Sequence, residues 1–144
     1  MSKIIVVDPF DYVVVGGTGD LAKRKLFPAL FHRELDGQLP DQARIIGVAR
    51  SELSDAEFVM QVEAALREFV PEKDLDADTL KRFLGRFAYM PNNAFTVDGY
   101  RALKDKLDEH PDRVRVIYLA TPPSLFGPIS AFLAEVGLNG PKDR

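Results

Sequence analysis

Cysteine is absent from the 144 residues, which excludes disulfides and thiolate metal sites. Histidine occurs only at His32 and His110. The two are far apart in sequence, and no metal is expected. No apolar run approaches the ~20 residues of a membrane span. The stretch Ile4-Ile5-Val6-Val7 is too short for the apolar core of a signal peptide. Both absences point to a cytoplasmic protein without membrane association. An excess of positive charge is missing too: at a formal net charge of −3 the surface would repel a nucleic-acid backbone. The one basic cluster, Lys23-Arg24-Lys25, lies beside a glycine turn and reads as part of a small-anion site or as a solvated helix face. Internal repeats and low-complexity segments are absent as well.

What is present is about one domain's worth of chain, with 46% hydrophobic residues to build a core. It is organised around Tyr12-Val13-Val14-Val15-Gly16-Gly17-Thr18-Gly19-Asp20-Leu21-Ala22. A strand ends in a glycine turn that opens directly into a helix. The first turn of a helix leaves backbone N–H groups unpaired, and the aligned peptide dipoles add partial positive charge there, so an anion fits. Gly16 permits the sharp turn, Gly19 lets a pyrophosphate approach the backbone, and Ala22 lets helix and strand pack closely. Gly16-x-x-Gly19-x-x-Ala22 is thus a variant of the dinucleotide fingerprint, and not its G-x-G-x-x-G form. A phosphate-binding P-loop needs Gly-Lys-Ser/Thr after its second glycine, and Lys23 and Lys25 sit too far into the helix for that. A turn without any ligand is the alternative from the glycines alone.

Along the chain, strands are expected at residues 12–15, 44–50, 87–90 and 114–120. Helices are expected after the glycine turn to about Asp36-Gly37, then at 54–69, 76–84, 98–107 and 124–135. Residues 3–7 form a short extra strand or an arm. Pro28 falls inside the first helix and predicts a kink or a restart. Ser54-Asp55-Ala56-Glu57 reads as a helix cap with acids in the first turn. The alternation predicts an α/β fold, a Rossmann-like doubly wound parallel sheet in three layers (αβα). Ligands in such sheets sit at the carboxyl ends of strands. That rule selects residues 16–21, Arg50-Ser51 and Thr121-Pro122-Pro123.

An NAD-selective site places an acid after the second strand to accept from the ribose 2′-hydroxyl. This chain offers Arg50 and the hydroxyl of Ser51. An arginine cannot accept that bond, but it can grip a 2′-phosphate with a forked, charge-assisted contact. The reading is NADP over NAD, against a plain solvated arginine at a strand end. On physics alone, Asp20 is a first-turn acid favoured by the helix dipole by roughly 0.3–1 kcal/mol. His32 and His110 have no carboxylate partner that the sequence identifies and read as structural or exposed.

Gly16 to Leu26 followed by Pro28, then Ile45-Ile46-Gly47-Val48-Ala49-Arg50-Ser51, then Tyr118-Leu119-Ala120-Thr121-Pro122-Pro123-Ser124-Leu125-Phe126, together resemble the N-terminal coenzyme domain of the glucose-6-phosphate dehydrogenase family. The resemblance spans nearly the whole chain. It implies that Gly16, Gly17, Thr18, Gly19, Asp20 and Leu21 line NADP, that Arg50 and Ser51 hold its 2′-phosphate, and that Ala120, Thr121, Pro122 and Pro123 pass beneath the nicotinamide half. It also implies a contact of Tyr89, and of Asn93, near the adenosine or pyrophosphate. Residues 1–144 then form a single dinucleotide-binding domain, a fragment of a homo-oligomeric parent that oxidises glucose 6-phosphate. The family's Glu-Lys-Pro segment and its histidine general base do not occur, and Lys142 is not taken for that lysine. No catalytic residue is therefore expected in this chain. A stand-alone NADP-binding module or redox sensor is the alternative from the binding class. Another Rossmann oxidoreductase is disfavoured, because the Gly-Asp-Leu-Ala and Pro-Pro segments have no reason to co-occur there.

Overall fold

The computed structural model describes residues 10–91 and 97–137. The stretch 3–7, Asn93 and the segment 138–144 lie outside the described residues. Four strands, β1 (Phe10–Val15), β2 (Arg44–Ala49), β3 (Phe87–Pro91) and β4 (Val114–Leu119), form one parallel sheet in the order β3-β2-β1-β4. The helices α1 (Phe27–Leu35), α2 (Asp55–Phe69), α3 (Ala77–Leu84), α4 (Val97–Leu107) and α5 (Phe126–Glu135) cover both of its faces. This is the doubly wound α/β architecture that the alternation predicts, in three layers.

The valines of β1 explain why it lies at the centre. Branched at Cβ, they favour the pleated strand, and their alternation serves two cores. Val14 packs with Ile45, Phe87 and Tyr89 against α1, α2 and α3, whereas Val13 and Val15 pack with Ile46 and Val48 against α4 and α5. The first core is aromatic. Phe27, Phe31, Phe58, Phe83 and Phe87 meet edge to face with ring centroids 5.0 to 6.1 Å apart. Each such buried ring contributes about 1.5–3 kcal/mol through the area it removes from water.

Two local features refine the expectation. Just ahead of Pro28 the first helix changes type and restarts as α1 at Phe27. A π-helical turn, Ala22–Leu26, precedes α1, and the Phe27 N–H closes it on the Ala22 carbonyl. Proline has no N–H to give to a carbonyl one turn back, and a widened turn just ahead of it absorbs the mismatch while the backbone stays helical. The first strand also starts earlier, at Phe10, because Asp11 is fully buried by ion pairs rather than exposed at an end. Elsewhere the strand and helix bounds shift by one or two residues. Ser54 caps α2 as expected, its hydroxyl accepting from the Glu57 N–H at 3.1 Å while the Glu57 carboxylate accepts from the Ser54 N–H at 2.9 Å.

Candidate functional site

The chain leaves β1 toward β2 on one side of the sheet and reaches β4 on the other. The strand order therefore reverses at β1, and a crevice opens above the carboxyl ends of β1 and β4. A cleft of about 400 Å³ lies there, lined by Val15, Gly16, Thr18, Gly19, Val48, Ala49, Arg50, Ser51, Ala120, Thr121, Pro122 and Leu125. Another hollow, of about 650 Å³, lies at the opposite ends of the strands among Asp41, Asp78, Lys81, Arg82 and Arg86. There the Arg86 guanidinium is already held by the Glu34 carboxylate and the carbonyls of Leu39, Pro40 and Ala43. The crevice at the carboxyl ends is the site that the topology builds.

The glycine turn is fixed to the sheet from within. The N–H groups of Gly16 and Gly17 both donate to the Val48 carbonyl, at 2.7 and 3.2 Å, and the Gly19 N–H donates to the Gly16 carbonyl at 2.9 Å. Gly16 adopts φ +88°, and a Cβ there would lie 2.5 Å from the Ala120 carbonyl oxygen. Its missing side chain thus lets the turn lie directly against the end of β4. Gly17 serves the other face, where a Cβ would lie 3.1 Å from the Gly47 Cα and 3.4 Å from the Phe58 ring. Behind Gly19 the helix begins, with its first N–H groups free of intrahelical partners.

Arg50 leaves the end of β2 exposed, and it has no ion-pair partner among the described residues. Its neighbour Ser51 is held through its carbonyl, which accepts a hydrogen bond from the Tyr89 phenol at 2.6 Å. Across the cleft, the Thr121 hydroxyl is buried with no hydrogen-bond partner among the described residues. A buried polar atom in that condition costs free energy unless something polar arrives. The glycine cradle, the helix start, an unpaired arginine and an orphaned hydroxyl around one crevice fit the phosphates and sugars of a dinucleotide.

The structure brings Gly16, Thr18, Gly19, Arg50, Ser51, Ala120, Thr121 and Pro122 together around this cleft. Gly17 packs inward instead. Asp20 points away, paired with Arg24 at 3.0 Å on the exposed side of the helix, beside a separate shallow groove with Lys23, Gln61 and Phe69. Leu21 is 42% exposed and outside the lining, and Pro123 opens the 3-10 turn Pro123–Leu125 just beyond it. Tyr89 is buried against Phe58 with its hydroxyl already engaged, and does not line the cleft. Leu125 does line it, and the sequence reading counts that residue only within the motif that ends at Phe126. Its signal was its place as the first apolar residue after Pro122-Pro123-Ser124. Both His32 and His110 are exposed and away from the cleft. Among the described residues no three His, Asp or Glu side chains converge as a metal ion would require.

A family model described as "Glucose-6-phosphate dehydrogenase, NAD binding domain" matches residues 13–144. Glucose-6-phosphate 1-dehydrogenase of Rhizobium meliloti (strain 1021) is 44% identical over 129 residues, which cover 90% of this chain and 26% of the relative. Among solved structures, the glucose-6-phosphate 1-dehydrogenase of Mycobacterium avium superposes with a TM-score of 0.84 at 29% identity, covering 94% of this chain and 28% of that one. A glucose-6-phosphate dehydrogenase in complex with its substrate glucose-6-phosphate superposes with a TM-score of 0.80 at 29% identity, covering 96% and 30%. The chain spans between a quarter and a third of the length of the proteins it matches.

Proposed function

Because the chain belongs to the glucose-6-phosphate dehydrogenase family as its dinucleotide-binding domain, we propose that it selects NADP over NAD and holds it for the oxidation of glucose 6-phosphate by a longer enzyme. The observation that carries the reading is Arg50, a guanidinium with no ion-pair partner among the described residues, at the end of β2 and on the rim of the cleft. A dianionic 2′-phosphate supplies what it lacks, and the adjacent Ser51 hydroxyl adds a donor. The Gly16–Gly19 turn and the helix start receive the pyrophosphate. Thr121 has a free hydroxyl for the nicotinamide half, and Pro122 and Leu125 form an apolar floor beside it. When bound, NADP would supply the acceptor for the hydride from C1 of the sugar, and Gly16, Gly19, Arg50, Ser51 and Thr121 would hold it. This chain's own part is to orient the cofactor and to keep one of its faces out of water. We assign no catalytic group to it, since neither histidine reaches the cleft.

Calorimetric titration of the intact protein with NADP and with NAD tests this reading. A charge-assisted contact contributes about 1.5–3 kcal/mol, so Arg50→Ala is expected to weaken NADP binding roughly 10- to 100-fold while leaving NAD binding nearly unchanged. Equal losses for both nucleotides, or none for either, would overturn it.

A further inference from the structure

Tyr89 stands midway along β3, outside the cleft, yet it holds the loop that carries Arg50 and Ser51 at two points. Its phenol donates to the Ser51 carbonyl at 2.6 Å, and its own N–H donates to the Asp55 carboxylate at 2.8 Å. Ser51 and Asp55 bracket the turn from β2 into α2, so both ends of that turn are tied to one residue of the neighbouring strand. The ring has little freedom. It is 6% exposed and packs against Phe58 with centroids 5.0 Å apart, and Phe58 in turn fills the space above Gly47 and Gly17. Burial first, and the Glu52 carboxylate second, raise the phenol's pKa above its ordinary value of 10.0, so the donated proton stays in place at neutral pH.

We infer that Tyr89 is a positioning residue for cofactor selectivity: through the Ser51 carbonyl it sets where Arg50 and Ser51 stand, and so how well they meet a 2′-phosphate. This rests on the reading of Arg50 as the 2′-phosphate contact. Hydrogen bonding at a backbone carbonyl restricts the loop without touching the nucleotide. Its benefit is therefore confined to the cofactor that the loop grips, whereas a direct contact with the adenosine would serve NADP and NAD alike.

The test is a double-mutant cycle on the intact protein, with NADP and NAD affinities measured for the parent, Tyr89→Phe, Arg50→Ala and the double variant. Tyr89→Phe removes the hydroxyl and keeps the ring on Phe58, and a melting curve for each variant verifies that the fold is retained. The expected result is a fall in the NADP-to-NAD affinity ratio on the order of five-fold for Tyr89→Phe, the scale of one hydrogen bond. In the Arg50→Ala background that fall should shrink to the smaller part that Ser51 carries. Equal weakening of both nucleotides, an unchanged ratio, or an effect undiminished without Arg50 would each overturn the inference. If Arg50→Ala leaves the ratio unchanged, the 2′-phosphate reading fails and takes this inference with it. If Arg50→Ala lowers the ratio and Tyr89→Phe does not, only the inference fails.

Discussion

A methyl group at Gly47 would overlap the Phe58 ring, whose tip reaches the middle of β2. The glycine is therefore a matter of volume, not of turn geometry. Its bare Cα lets Phe58 descend to the sheet, and Phe58 supports Gly17 on one side and Tyr89 on the other. Gly47→Ala should destabilise the fold by about 1–3 kcal/mol through overpacking. It should also loosen the glycine turn, because Gly17 leans on the same ring. Denaturant midpoints would measure the first effect, and Gly47→Ala combined with Phe58→Leu should recover part of the loss. A midpoint unchanged in the single variant would show that the ring moves aside freely. The sequence marks Gly47 only as one member of a buried strand. Its partner sits on the next helix, and volume complementarity between two elements leaves no periodic trace.

Among the elements, α2 has the best-defined start. The reciprocal bonds of Ser54 and Glu57 satisfy N–H groups that a helix otherwise leaves unpaired. Ser54→Ala should cost about 1 kcal/mol by thermal or chemical unfolding, and Ser54→Asp should restore most of it. The same start carries Asp55, so the loss should be accompanied by faster amide exchange at Tyr89, whose N–H that carboxylate accepts. Capping was legible from the residues because all of its partners lie within one turn. The strands, the glycine turn and the parallel sheet were legible for a similar reason, each being written in local spacing and alternation. The π-helical turn was not. Its residues satisfy an ordinary helical pattern, and Pro28 marks that something must adjust without saying which turn will widen. Nor was the engagement of Tyr89 with Ser51, since the partners are 38 residues apart and a buried tyrosine reads the same whatever its hydroxyl meets.

Across the whole molecule, a single buried carboxylate joins the amino-terminal ends of three strands. Asp11 on β1 is fully buried and meets Arg44 of β2 at 2.8 Å and Arg113, just ahead of β4, at 3.1 Å. Burial by itself would raise its pKa, but the two guanidiniums outweigh burial and hold the carboxyl below its ordinary value of 3.8. Folding thus favours the ionised form. The stabilisation is complete above the unfolded value and is lost as pH falls through the lower folded one. Acid unfolding of the parent should therefore steepen below pH 3.8, and Asp11→Asn should remove that steepening. At neutral pH, Asp11→Asn should cost about 3–5 kcal/mol, because it takes the carboxylate from Arg113 and leaves Arg44 only its exposed partner Glu109 among the described residues. An acid profile identical in parent and variant would show that this carboxylate does not govern acid stability.

The parallel pairing that sets Val13 beside Ile117 also bears on the order of folding during synthesis. β1, β2 and β3 with the first three helices precede β4 on the chain, so the aromatic core can assemble while the rest is still being translated. The β1–β4 pairing closes a far longer loop and has to wait for Leu119 to leave the ribosome. Until α5 follows, Val13, Val15, Ile46 and Val48 lack its cover, and the nascent chain exposes part of an apolar sheet face of the kind that chaperones shield. The nucleotide crevice needs Ala120 and Thr121 from the far side of that pairing. A complete cofactor cleft therefore forms only after the last described strand has joined, which makes nucleotide retention a reporter of finished folding.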